Sequence, residues 1–216
     1  MRLTTAHQSM ASVVGLARRY PSDVSPLAGL LRPTPEAFSD LRTLVNDDES
    51  VVLFTIQTFE VPSDWRVIWT RSIEQMVCAE PARSSTFPLL ALQTTDVPEI
   101  VALTAATEPG PFLPKTIQMG RYLGIRSSDG ALIAMAGERL ELREFTEISA
   151  VCTHPGFRGS GYARSLVCSL ASFTRGEGKI PFLHVKQENG AKLFYEKIGF
   201  TVRRGIHLTV IAPRTT

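Results

Sequence analysis

Residues 147–167 read EISAVCTHPGFRGSGYARSLV, and the order of residue types in this run decides how the rest of the chain is read. Glu147 to Thr153 alternates polar and apolar side chains, as a half-buried strand does. His154-Pro155-Gly156 ends that alternation. From Gly161 the period changes: Ala163, Leu166, Val167, Leu170, Ala171 and Thr174 recur at helical spacing, which predicts a helix with one buried face as far as Arg175. Between strand and helix stands Arg158-Gly159-Ser160-Gly161-Tyr162-Ala163. Small residues there let the backbone approach a ligand, and the unpaired N–H groups of a helix N-terminus favour an anion. A pyrophosphate suits such a turn, and Arg158 can add charge-assisted hydrogen bonds.

Two other phosphate loops fail on spacing. A P-loop needs Gly-Lys followed by Ser or Thr after its spacer, and no such element occurs. A dinucleotide fingerprint needs Gly or Ala where Arg164 stands, and an acidic residue about 20 positions on, where the chain has His184 to Lys186.

Working outward, Phe182 to Val185 predicts a short apolar strand, Asn189 caps a helix through Ile198, and Gly199 ends it before a strand pair over Phe200 to Val210. Upstream, Leu89 to Gln93 predicts a strand and Asp96-Val97-Pro98-Glu99 opens a helix to about Thr107 as a capping box. Pro109-Gly110-Pro111 stops that helix. Arg121 to Arg126 and Ala131 to Leu140 are strands joined by a hairpin turn at Ser128-Asp129-Gly130. Strands alternate with helices, so the fold class is α/β with a mixed sheet.

Hydrophobic periodicity fails over residues 81–88, where Pro, Ser and Arg gather; this predicts a linker between a smaller N-terminal domain, 1–80, and a main domain, 89–216. The N-terminal part holds a helix opened by Thr34-Pro35-Glu36 and strands at Val51 to Gln57 and Trp65 to Trp69. It carries no chemical signature and is read as a scaffold.

Composition narrows the function classes. Twenty-three Lys and Arg against 21 Asp and Glu leave a formal charge of +2 with no basic run, which argues against nucleic acid. Cys78, Cys152 and Cys168 show no metal-ligand spacing, so neither zinc nor a disulfide framework is expected. No stretch approaches the ~18 apolar residues of a membrane span, and MRLTTAHQSM lacks the apolar core of a leader. A cytoplasmic protein without membrane contact is expected, as a monomer or homodimer.

The run from Glu147 to Val167, followed by FLHV and then NGAKLFYEKIGF, resembles the GCN5-related N-acetyltransferases (GNAT), and most of all their FR47-like branch. Arg158, Gly161 and Ala163 resemble the family's pyrophosphate loop, and Asn189 to Phe200 its closing helix and Gly-Phe turn. The resemblance covers Glu147 to Phe200, extends in weaker form to Leu89, and implies a sheet splayed between the strands at Glu147 to Thr153 and Phe182 to Val185. Acyl-CoA would lie in that gap, its phosphates on Arg158, Gly159, Ser160, Gly161, Tyr162 and Ala163 and its pantetheine arm on the backbone of Val151 and Thr153. The backbone N–H of Val151 would stabilise the oxyanion. The resemblance also implies that Tyr195 protonates the departing thiolate, with Asn189 nearby; the N-terminal domain, which the resemblance does not cover, is expected to be a degenerate half of similar build.

The expected activity is transfer of an acetyl group from acetyl-CoA to a primary amine by direct attack, without a metal. An ammonium acceptor must first lose a proton. Glu147 is the candidate base, as a strand carboxylate beside the gap, with Glu138 and Glu141 as alternatives. His184 faces the same gap, but a lone His in an apolar strand is more often packing than a base. Cys152 points away from Val151 by strand alternation and reads as a small buried hydrophobe. Acceptor contacts are expected from the segment Pro109 to Gly120, with Phe112 and Met119 as walls. Two other classes stay open: a non-catalytic acyl-CoA sensor of the same fold, and a nucleotide-binding protein using the same glycine turn.

Overall fold

Apolar runs become the interior strands Tyr122–Arg126, Leu132–Glu141 and Ile180–Lys186, where both faces of the sheet are covered. The computed structural model describes residues 6–82, 87–186 and 190–214. Within them the elements are, in order, β1 (Ser12–Val14), β2 (Ala17–Arg19), β3 (Leu27–Leu30), α1 (Pro35–Arg42), β4 (Val51–Thr55), β5 (Trp65–Val77), β6 (Leu90–Ala91), α2 (Val97–Thr107), β7 (Tyr122–Arg126), β8 (Leu132–Glu141), β9 (Phe145–Thr153), α3 (Tyr162–Gly176), β10 (Ile180–Lys186), α4 (Ala191–Lys197) and β11 (Thr201–Pro213). The strands form one sheet in the order β1-β2-β3-β4-β11-β5-β10-β9-β8-β7-β6.

That order contains the same plan twice. In the N-terminal part β2 and β3 are antiparallel, and α1 carries the chain from β3 to a parallel β4. In the C-terminal part β8 and β9 are antiparallel, and α3 carries the chain from β9 to a parallel β10. The strand that follows each unit crosses to the other: β5 pairs with β10, and β11 pairs with β4. β5 and β11 then pair antiparallel with each other along almost their whole length, from Val77 opposite Thr201 to Trp65 opposite Pro213. One sheet therefore joins the two halves of the chain, while residues 81, 82, 87 and 88 of the segment read as a linker lie in no strand and residues 83–86 lie outside the described residues.

Helix faces follow the spacing. α3 buries Leu166, Val167, Leu170, Ala171 and Thr174 against one face of β8, β9 and β10, whereas α2 buries Ile100 and Leu103 against the other face. α1 buries Ala37, Phe38 and Leu41 with Trp65. A further core joins the two units, with Tyr20, Phe54, Ile73, Met119, Leu140 and Phe182 in contact. Several expectations change in detail. β6 is only a two-residue strand, and Phe200 to Val210 belongs to one continuous strand rather than a strand pair. The Asp96 side chain accepts from the Gln93 N–H at 2.7 Å and from Arg126, instead of capping α2, so no capping box forms with Glu99. Strands β1 to β3 escaped the sequence reading because each is four residues or shorter. No helix among the described residues is long and apolar enough to cross a membrane.

Arg19 on β2 is buried, and its guanidinium donates to the Leu44 carbonyl at 2.7 Å and to Glu49 at 2.6 Å. The hydrogen bond from Arg19 outweighs the effect of burial and holds the Glu49 carboxyl at about 2, below its ordinary 4.5. The stabilisation is therefore complete above pH 4.5 and is lost as pH falls towards 2. We expect Glu49→Gln to cost roughly 2–3 kcal/mol at neutral pH. Urea melts of parent and variant should converge on acidification through that window; curves offset equally at all pH values would show that the pair does not act electrostatically.

Candidate active site

The site begins where two parallel strands separate. β9 and β10 share a register from Phe145 opposite Ile180 to Glu147 opposite Phe182, and no further. Beyond that point β10 pairs only with β5, so the edge of β9 from Ile148 to Thr153 faces β10 without a strand partner. β9 also bends away through a bulge. Met135 of β8 opposes Cys152 while Gly137 opposes Ser149, which leaves β9 one residue longer, and Ala150 takes a φ of 52°. A cavity of about 420 Å³ fills the fork, with Ser149 to Val151 on one wall, Leu183 to Lys186 on the other, and Trp69 and Arg71 of β5 towards the N-terminal unit.

The glycine turn lies at the end of β9. A 3₁₀ turn at Pro155–Phe157 leads to Gly159 and Gly161, with φ of 84° and 86°. A Cβ on Gly159 would meet nothing within 4 Å, and on Gly161 only the Phe87 ring at 3.8 Å, so left-handed backbone rather than space calls for glycine here. Gly161 is the N-cap of α3, and no side chain caps the helix. α1 differs: the Thr34 hydroxyl accepts from the Ala37 N–H and closes that end. The α3 terminus thus keeps its donors for a ligand, and the exposed Arg158 side chain stands beside it with Nε donating to the Thr153 carbonyl at 3.3 Å. These residues fit a pyrophosphate.

Glu147 is 1% exposed and bound on every side. Arg139 of β8 donates to it through Nε at 2.9 Å and Nη2 at 2.7 Å, and His184 Nδ1 lies 2.7 Å from Oε1. Burial alone would raise its carboxyl, but the charge of Arg139, the His184 hydrogen bond and the charge of that ring outweigh burial and hold it at about 2. This revises its expected role. A carboxylate so stabilised is a poor proton acceptor, and its oxygens are already occupied. His184 lines the cavity, stacked on Phe54 at 4.8 Å and edge-on to Phe182 at 5.6 Å. Its hydrogen-bond partners arrive from other strands, which spacing along the sequence does not show.

Tyr195 borders the same cavity from α4, its ring against Phe194 and Phe200, and burial pushes its phenol up to about 12. α4 starts at Ala191 with Gly190 at its N-cap; Asn189 lies outside the described residues. Val151 borders the cavity, whereas Thr153 lies beyond it, with its carbonyl taken by Arg158. Phe112 and Met119 do not line the fork, contrary to expectation. Phe112 packs edge-on to Tyr122 under α2, and Met119 is fully buried in the core that joins the two units. Apolar burial claimed both. The cavity is instead lined there by Phe54, Trp69, Arg71 and Ile73, together with the loop Thr107 to Pro111. Cys152 is buried against the α2 face with its thiol raised by desolvation, Glu138 holds Arg121, and Glu141 holds Lys179; none of the three borders the cavity. Arg139 had one signal in the sequence, a lone cation in the apolar run Leu132 to Leu140; Gln75 had none.

Comparison with known proteins agrees with this geometry. The family described as FR47-like protein matches residues 122–207. A Novosphingobium aromaticivorans protein assigned to the GNAT family of acetyltransferases is 34% identical, with a TM-score of 0.89 over 99% of this chain and 95% of that one. GCN5-related N-acetyltransferases from Kribbella flavida (17% identity, TM-score 0.61, 96% of this chain and 93% of that one) and Sphaerobacter thermophilus (16%, 0.52, 90% and 76%) share the fold. No curated protein matches the chain. Similarity at this identity over nearly the full length places the chain in the GCN5-related N-acetyltransferase superfamily, to whose FR47-like branch it belongs.

Proposed function

We propose that this protein transfers an acetyl group from acetyl-CoA to a primary amine by direct attack. The observation that carries the reading is one cavity in which the unpaired edge of β9 and the Tyr195 phenol meet, while the uncapped N-terminus of α3 follows the end of the same strand. The turn from Arg158 through Gly159, Ser160, Gly161, Tyr162 and Ala163 would hold the pyrophosphate, and the β9 edge at Val151 and Thr153 would pair with the pantetheine arm. When bound, the thioester supplies an acyl carbon activated for attack. The N–H of Val151, next to the kink at Ala150, would donate to the acyl oxygen. Tyr195 would protonate the leaving thiolate: at about 12 the phenol keeps its proton throughout the physiological range and meets sulfur as a hydrogen-bond donor. Asn189 keeps its place near the thiolate by resemblance alone.

The two faces of the sheet divide the work. Leu183 and Val185 point into the core that contacts Tyr195, whereas Phe182 and His184 point towards Phe54 and the N-terminal unit. The amine would thus approach from the N-terminal side while the thiol leaves on the α4 side. We read residues 1–80 as a degenerate second copy of the same plan, kept as scaffold and acceptor wall, since the Thr34 cap closes its helix to phosphate. The unpaired thiols of Cys78, Cys152 and Cys168 suit a reducing compartment such as the cytoplasm.

Gly161→Val forces a β-branched residue into the left-handed region, at about 1–2 kcal/mol, and turns the first N–H groups of α3. Calorimetry should show CoA affinity lost in a variant that still melts cooperatively; unchanged affinity would put the phosphates elsewhere. Tyr195→Phe removes only a hydroxyl. It should lower kcat by about 10²- to 10⁴-fold with Kd for acetyl-CoA and Tm nearly unchanged. A lowered Tm with normal kcat would make Tyr195 a core residue, and a parent that binds CoA yet consumes none with any amine would mark a sensor.

A further inference from the structure

Five side chains from five strands form a continuous line of polar contacts across the acceptor side of the fork. Arg203 of β11 donates to Gln75 Oε1 at 2.7 Å, Gln75 Nε2 lies 3.3 Å from His184 Nε2, His184 Nδ1 lies 2.7 Å from Glu147 Oε1, and Arg139 holds Glu147 in two hydrogen bonds. The chemistry of the two ends fixes every proton between them. Arginine only donates, so the Gln75 atom it meets is the oxygen, and the amide nitrogen must donate to His184. His184 Nε2 therefore accepts, and its proton sits on Nδ1, directed at a carboxylate that can only accept. The tautomer is set from both sides, with the Nε2 lone pair presented at the end of the ring away from Glu147.

Resting on the acetyltransfer reading, we propose that His184 is the catalytic base of this enzyme, taking the ammonium proton of the acceptor at Nε2, with Glu147 and Arg139 as positioning residues. The proton passes from the acceptor nitrogen to Nε2 as Gln75 yields its place, and the freed lone pair forms the C–N bond. The C–S bond then breaks as Tyr195 protonates the thiolate, the second proton of the attacking nitrogen restores the phenol, and the imidazolium returns its proton to water. Glu147 then faces a cation and balances its charge. The Arg139 guanidinium keeps that carboxylate below the ordinary range, so it serves better as counter-ion than as acceptor. The charged groups around the ring are Glu147 on β9, Arg139 on β8, Arg203 behind Gln75, and Arg71, Lys186 and Glu108 on the cavity wall; Phe54 of β4 covers one ring face.

Two measurements test the assignment. In ¹⁵N-histidine-labelled parent protein, long-range ¹H–¹⁵N spectra, with the His184 signals identified by their loss in His184→Gln, should show the Nδ1–H tautomer once the ring is neutral. A ring protonated at Nε2 would overturn the proposal without any variant having to be active. His184→Gln should then lose about 10²- to 10⁴-fold in kcat/KM at neutral pH and regain rate as pH rises and the free amine becomes abundant. Affinity for acetyl-CoA should not change. Parent activity with an unchanged rate and pH profile in His184→Gln overturns the base alone; a parent that turns over no amine overturns the acetyltransfer reading and the base with it.

Discussion

The buried pair of Glu147 and Arg139 stands at the last position where β9 still pairs with β10. A carboxylate at this depth can stay ionised only with a cation against it, and a guanidinium can satisfy both its oxygens at once. Arg139 reaches it from the adjacent strand and spreads over the Phe54 ring at 5.8 Å, so one ion pair ties β8, β9 and the N-terminal unit together at the apex of the fork. Above that apex β9 bends through its bulge and β10 turns to β5. The separation leaves an unpaired strand edge beside a cavity, and every feature of the proposed site is placed relative to it.

Exchange of the final strands makes the opening tolerable. A sheet that forks exposes backbone groups and loses apolar contacts, and a lone C-terminal unit would end at β10. Here β5 gives β10 a full partner on its far side, and β11 closes β4 in the same way. One wall of the cavity, with Phe54, Trp69, Arg71 and Ile73, is thereby supplied by the other unit. The twin helices show how one plan gives different chemistry: a threonine hydroxyl ends α1 internally, whereas Gly161 leaves α3 open. A threonine side chain in place of a glycine separates the closed helix end from the open one.

Arrangement across the sheet gives the proposed reaction its direction. Strand alternation sends Val185 to the α3 face and His184 to the opposite one, so groups suited to accept and to donate a proton reach the cavity from opposite sides. The proposed addition to an acyl carbon and loss of thiolate needs two proton transfers, one from the amine and one to the sulfur, and groups at separate positions can serve them. Phe54 and Gln75, both from the N-terminal unit, fix the ring that the C-terminal unit supplies.

The sequence by itself determined the α/β class, α2 and α3 with their buried faces, the strands on either side of the glycine turn, and the turn's fitness for phosphate. Each of these depends on spacing along a few consecutive residues, or on the steric freedom of glycine at Gly159 and Gly161. It also pointed to Glu147 and Tyr195 by resemblance, although it could not say what would touch them. Only the tertiary structure decided that Arg139 and His184 occupy the Glu147 carboxylate, that Gln75 and Arg203 set the imidazole's proton, and that Phe112 and Met119 are core while Trp69 and Arg71 line the cavity. Gln75 and His184 are 109 residues apart, and Gln75 and Arg203 are 128 apart. Local periodicity carries no information about such pairs, because the crossing of β5 and β11 between units, rather than any pattern within a strand, brings them into one register.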